Sequence, residues 1–304
     1  MKNVINYYYD LFPKDIHQTK DYYTFMVENI SYYFLPYKRK IEDIDSIYNR
    51  LSKLYSLGIY VHQILLNKMN QKVTAVNNQS YILLKIYVNN RSLIILEDIL
   101  QFQKNVLGRM EDQFSVQRLF SLWTEKIDYF EYQVSQFGMN FPLIRESFNY
   151  FVGLSEVAIS LLNTIDEKNI FVVYSHYRLK TRSTLFDLYN PLELLVDSRV
   201  RDSVEYFKDK SLYQDCMMEI FYYFKYQSLN KDEALLFFAR FLFPTFYFDI
   251  YERVISKEIP EDKIKVAIDF LPRYERNVWQ LYKFLKNYYF FPDIEWINQL
   301  NYSD

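Results

Sequence analysis

Apolar and polar positions recur along this chain with two different periods, and the change of period divides it. Tyr22 to Val27 and Ser31 to Tyr37 are rich in Tyr, Phe and Ile, and Glu28-Asn29 separates them, which predicts two strands joined by a short hairpin turn. Ile44, Ile47, Tyr48, Leu51, Leu54 and Tyr55 then recur at spacings of three and four, the period of a helix, and Gly58 stops it. Three more strand-sized runs follow, Val61 to Leu66, Lys72 to Val76 and Tyr81 to Val88, punctuated by Asn70-Gln71 and Asn77-Asn78. The predicted order is strand, strand, helix, strand, strand, strand.

From about Leu96 the helical period takes over. Val116, Leu119, Phe120, Trp123, Ile127, Phe130, Val134 and Phe137 mark one long helix closed by Gly138, and Pro142 opens another that buries Ile144, Phe148, Phe151, Leu154, Ala158 and Leu161. Two strand-sized runs interrupt, Ile170 to Tyr174 and Leu194 to Val196. Helices resume over about Val200 to Lys208, Cys216 to Tyr226, Asp232 to Ser256 and Glu261 to Tyr289. The pattern predicts an α+β chain with a small, mainly β lobe carrying one helix (residues 1–92) and a large helical lobe (93–304), the boundary falling near Asn89 to Leu96. This element order is that of the two-lobed protein-kinase-like fold.

Composition narrows the chemistry. Half of the 304 residues are hydrophobic and 24% are charged, so the whole chain is expected to fold. The net charge of -2 argues against a general nucleic-acid binder. Tyr and Phe number 31 and 26, whereas Gly58, Gly108, Gly138 and Gly153 are the only glycines, and they lie too far apart to build a phosphate-cradling glycine loop. The lone Cys216 excludes an intrachain disulfide and a cysteine metal site, which suits a reducing cytoplasm; an inert buried thiol is expected. Met1 to Tyr9 lacks the apolar core of a signal peptide. The most apolar run, Ala234 to Phe248, is interrupted by Arg240 and Pro244 and falls short of the ~20 residues of a membrane span, so a buried core helix is expected.

Particular stretches carry a closer resemblance. Ser121 to Glu131 (SLWTEKIDYFE), Leu143 to Leu162 (LIRESFNYFVGLSEVAISLL), Val172 to Leu179 (VVYSHYRL), Leu194 to Phe207 (LLVDSRVRDSVEYF) and Phe238 to Glu252 (FARFLFPTFYFDIYE) resemble segments of the YutH-type spore coat proteins. That family is similar in turn to the CotS-type spore coat proteins and the aminoglycoside phosphotransferases. The resemblance covers about Tyr22 to Tyr289. It implies a protein of spore-forming Firmicutes, made in the mother-cell cytoplasm during sporulation and associated with the spore coat, with other coat proteins as partners.

Phosphoryl transfer needs a loop and a lysine on the phosphates, carboxylates on Mg²⁺, and an aspartate on the acceptor hydroxyl. The resemblance aligns His176-Tyr177-Arg178-Leu179 with the His-Gly-Asp-Leu catalytic loop, so Arg178 occupies the position of the catalytic aspartate. Arginine neither accepts a proton at neutral pH nor binds a metal. The metal-binding asparagine position falls on Ser183. Asp197, at the end of the Leu194-Leu195-Val196 run, aligns with the Mg²⁺-binding aspartate; its other reading is a strand-end or capping residue. Asp202 aligns with an aspartate that braces the catalytic loop. The phosphate lysine has two registers, Lys38 and Lys85, and the turn above the phosphates would be Val27-Glu28-Asn29.

His176, Arg178, Lys180 and Arg182 form a basic cluster that reads either as an anion site or, the favoured reading, as a solvated loop of paired charges. His17 and His62 lack metal-ligand spacing. The preferred functional reading is a non-catalytic, pseudokinase-like protein acting through protein contacts in coat assembly. The alternative is a nucleotide-binding or active phosphotransferase, for which ATP and Mg²⁺ would be the cofactors.

Overall fold

The computed structural model describes residues 1–19, 21–40, 42–106, 114–300 and 302. The chain forms two compact units: Met1–Arg109 with Arg182–Leu195, and Met110–Thr181 with Val196–Asp304. In chain order the elements are α1 (Lys2–Tyr9), β1 (Ile16–Gln18), β2 (Tyr23–Val27), β3 (Ile30–Pro36), α2 (Asp43–Ser56), β4 (Gln63–Leu65), β5 (Thr74–Val76), β6 (Gln79–Lys85) and α3 (Leu96–Val106). They continue as α4 (Val116–Phe137), α5 (Pro142–Leu162), β7 (Val172–His176), α6 (Leu185–Leu188), β8 (Leu194–Ser198), α7 (Arg201–Tyr213) and α8 (Met217–Gln227). The chain closes with α9 (Lys231–Leu242), α10 (Thr245–Ile255), α11 (Ile264–Tyr288) and α12 (Glu295–Gln299).

The small unit is an antiparallel sheet in the order β1-β2-β3-β6-β4, with β5 also paired to β6. Its tight turns use Asn where glycine is scarce. Glu28 and Asn29 join β2 to β3 and Asn77 and Asn78 join β5 to β6, all four at positive φ, the geometry whose twist suits a two-residue hairpin. Alternation along β3 puts Tyr32 and Phe34 on one face and Tyr33 on the other. On the first face Phe25 stacks on Tyr32 and Phe34 on Tyr81, and Ile5 of α1 is fully buried against this cluster. The sequence reading contained neither α1 nor β1, because eight residues and three residues are too short for a period to declare itself.

Residues 182–195 group with the small unit because the backbone ties them there: Ile94 N–H donates to Ser183 O, Leu185 N–H to Ser92 O and Phe186 N–H to Asn90 O. A boundary drawn at residue 92 from element order alone runs through this laddered segment.

The large unit is a helical bundle around α9, in which residues 232–242 are all buried, with α5, α7 and α11 as neighbours. The run expected as one helix over Asp232 to Ser256 is two. Pro244 lacks an N–H and drives Phe243 into an extended conformation, so α9 ends and α10 begins there. By length and composition residues 231–255 would suit a membrane span, but most of them are buried in this core.

Candidate functional site

In the large unit the strand end of β7 delivers His176, and the start of α7 delivers Arg201 and Asp202. Asp202 is fully buried and uses both oxygens on His176: the backbone N–H donates to Oδ1 and Nδ1–H to Oδ2, each at 2.8 Å. A carboxylate only accepts, so the ring proton on that side sits on Nδ1. Asp202 thus holds the backbone and the ring of the loop's first residue, the bracing role that the sequence alignment implied.

Asp197 lies at the end of β8 and is 5% exposed. Its Oδ1 accepts from Arg240 Nη2 at 2.6 Å, from its neighbour's backbone N–H at 2.6 Å and from Ser198 Oγ at 3.0 Å; its Oδ2 accepts from Arg201 Nη1 at 2.7 Å. Burial alone would push this carboxyl up, but the guanidiniums of Arg240 and Arg201 and the Ser198 N–H reverse that and hold it below the usual carboxylate range. Arg201 does more: its Nε donates to His176 O and its Nη2 to Tyr177 O, both at 2.8 Å. One arginine therefore staples the His176–Tyr177 turn to Asp197.

Arg178 points elsewhere. Its Nη1 bonds Asp249 on α10, and Lys180 Nζ lies 3.8 Å from the same carboxylate. Next to them Lys208 is buried, with Nζ on Glu205 Oε1 at 3.0 Å and on the carbonyl of Arg240 at 2.9 Å. Burial lowers the Lys208 pKa. Thr181 N–H and Oγ1 both donate to Asp209. Arg178 and Lys180 thus share the Asp249 carboxylate, while Asp209 fixes the neutral Thr181 between Lys180 and Arg182.

The other expected site residues belong to the small unit. Ser183 lies in the segment laddered to 92–94, and Arg182 directly precedes it. Lys38 is exposed, two residues beyond the end of β3, and β3 itself holds no lysine. Lys85 ends β6 opposite Tyr32 and Gln63, so it shares their face and not that of Tyr33. Tyr33 stacks on Phe186, whose ring also meets the His62 ring at 4.5 Å and the Arg91 guanidinium at 3.8 Å. His62 is buried and spent: Nδ1 accepts from Tyr87 N–H at 3.1 Å and Nε2–H donates to Phe186 O at 3.0 Å. Burial lowers its pKa to about 4. His17 lies on β1 and is exposed. The Val27-Glu28-Asn29 turn is present, but the extra strand β1 makes it the second hairpin of the sheet. In the first, Thr19 Oγ1 accepts from the N–H groups of Asp21 and Tyr22.

The chemistry of the Asp197 site follows from its occupancy. Two guanidiniums and a serine take up both carboxylate oxygens, so a Mg²⁺ ion would have to displace an arginine and then sit beside the remaining one. These residues do not fit the metal. Among the described residues no cluster of three or more His, Cys, Asp or Glu is placed to hold a metal ion. The residues that decide this, Arg201 and Arg240, were not singled out as site residues in sequence. The signal for Arg240 was present: a charge inside the otherwise apolar run Ala234 to Phe243 needs a buried partner.

The fold has solved counterparts. An aminoglycoside phosphotransferase from Alicyclobacillus acidocaldarius superposes with a TM-score of 0.64 at 10% identity, covering 94% of this chain and 96% of its own. A spectinomycin phosphotransferase solved with ADP and spectinomycin gives 0.53 at 13%, covering 92% and 96%. Choline kinase LicA from Streptococcus pneumoniae gives 0.51 at 13%, covering 93% and 97%. At these identities the likeness establishes the kinase-like fold. No curated protein matches the chain in sequence. A family profile does, over residues 2–288, and the chain belongs to the family described as "Spore coat putative kinase YutH".

Proposed function

We propose that this chain is a non-catalytic member of its family, a pseudokinase that acts through protein contacts in the assembly of the spore coat. The observation that carries the reading is the saturation of Asp197 by Arg201, Arg240 and Ser198. Phosphoryl transfer in this fold is positioning and charge neutralisation, with metal ions doing much of the second task. Here arginine side chains neutralise the carboxylate that would hold the metal. Arg178 at the catalytic aspartate position and a β3 strand without lysine point the same way.

Thermal melting with ATP, with and without Mg²⁺, tests this. A ligand that binds only the native state must raise the melting temperature, by about 2.7 kcal/mol of stability at a hundred times its dissociation constant. The expected result is no Mg²⁺-dependent rise at millimolar ATP. A clear rise that needs Mg²⁺ and disappears in Asp197→Ala would overturn the reading and make the chain a phosphotransferase candidate.

A further inference from the structure

At one end of the small sheet lies a cavity of about 560 Å³, within the range of small-molecule sites. It is bounded by the β2–β3 turn, the end of α2, the start of β4 and the residues that follow β6, all within the small unit. Part of its wall is aromatic. Tyr55, Tyr60 and Tyr87 form a chain of rings with centroids 5.9 and 5.8 Å apart. Tyr55 is anchored by its hydroxyl on Val61 O at 2.8 Å. Tyr87 is anchored by its backbone N–H on His62 Nδ1. The other two rings, Tyr60 and Tyr87, nevertheless stay 54% and 56% exposed. Two large rings presented at the mouth of a cavity by a fixed backbone are a preformed surface, which lowers the ordering cost of binding.

The polar groups of the lining point to one sign of charge. Lys85 is the only charged side chain among the lining residues, and Gln63 and Asn29 add amides. Among the described residues Lys85 has no carboxylate partner, although most other buried or half-buried cations of the protein have one. Its backbone is fixed by pairing to Tyr32 and Gln63, so the root of the ammonium does not wander. No carboxylate lines the cavity to oppose an anion.

We propose that this cavity binds a small ring compound bearing a carboxylate, with the carboxylate on Lys85 and the ring against Tyr60 and Tyr87. A charge-assisted hydrogen bond orients the ligand and aromatic contact supplies the apolar share. The site is separate from Asp197 and its arginines, and it stands or falls independently of the pseudokinase reading.

The test is two-dimensional amide NMR of the isotope-labelled full chain, titrated with benzoate, benzamide, glucuronate and glucose. Saturable shifts at Tyr60, Gln63, Lys85 and Tyr87 are expected with an anion and not with its neutral partner. A response to benzoate alone assigns an aromatic acid, and a response to glucuronate alone assigns an acidic sugar. Lys85→Met should weaken the responding anion by about tenfold or more, and Lys85→Arg should restore part of it. Tyr60→Ala, with its melting temperature as a check on folding, should weaken it as well. Absence of saturable binding by any anion at millimolar concentration, or binding unchanged in Lys85→Met, would overturn the proposal.

Discussion

Arg240 donates from Nη2 to Oδ1 of Asp197 at 2.6 Å, although the two residues lie 43 positions apart and both are buried. Removing one member of a buried ion pair leaves the other uncompensated. Arg240→Met is expected to cost about 3 kcal/mol, read as a fall in the urea midpoint at unchanged slope. The double variant Asp197→Asn/Arg240→Met should lose less than the two single variants together. Strict additivity would mean that the pair is not coupled.

The same carboxylate sets an acid dependence. Its pKa in the fold lies below the ordinary value of 3.8, so the unfolded chain binds the proton more readily. The stability that Asp197 contributes is complete well above the unfolded value and is lost as pH falls through that value toward the folded one. Asp197→Asn should be less stable than the parent near neutrality and lose less on acidification. Urea denaturation at pH 7 and pH 3.5 measures both, and parallel losses in the two proteins would contradict the assignment.

His62 gives a second pH signature, at higher pH. Its folded pKa of about 4 lies below the ordinary 6.5. The unfolded chain therefore takes up this proton first, and the contribution of neutral His62 declines as pH falls from 6.5 toward 4. His62→Ala should remove that slope. It should also destabilise by about 1–3 kcal/mol, because Tyr87 N–H and Phe186 O lose a buried partner. Proton exchange at the Tyr87 amide should speed up in the same variant.

On the proposed reading, an aspartate at position 178 should not by itself give phosphoryl transfer. Arg178→Asp puts a carboxylate where the resemblance implies a catalytic aspartate, yet it leaves Asp197 engaged by Arg201 and Arg240 and sets the new charge near Asp249. No phosphate release from Mg-ATP above background is expected. Turnover in this variant would show that the arginines yield to a metal.

Cys216 is buried directly before α8, where its thiol faces Phe207 O at 3.8 Å, and has its pKa pushed to about 12 by burial. The thiolate is the reactive form, so the native protein should react with a thiol reagent only through unfolding. Labelling in buffer should follow the unfolding rate, and labelling within seconds would place the thiol at the surface.

The two-lobed α+β plan, the hairpin at Glu28-Asn29 and the long helices of the C-terminal half were legible along the chain, and the resemblance implied that Arg178 stands where a catalytic aspartate is expected. These are local matters: a period of two or 3.6, a turn residue, or a residue type at an aligned position can be read without knowing the fold. The bracing of His176 by Asp202 was legible for the same reason, through alignment. The surroundings of Asp197 could not be read along the chain. Its partners come from one turn along the chain and from α9, and a carboxylate beside one buried and one half-buried guanidinium is a different chemical object from the same carboxylate facing solvent or metal. The covering of the sheet by α1 and the attachment of residues 182–195 to the small unit likewise depend on which surfaces meet. Such contacts between distant segments carry the burial and the charge pairing that a pattern along one dimension cannot encode.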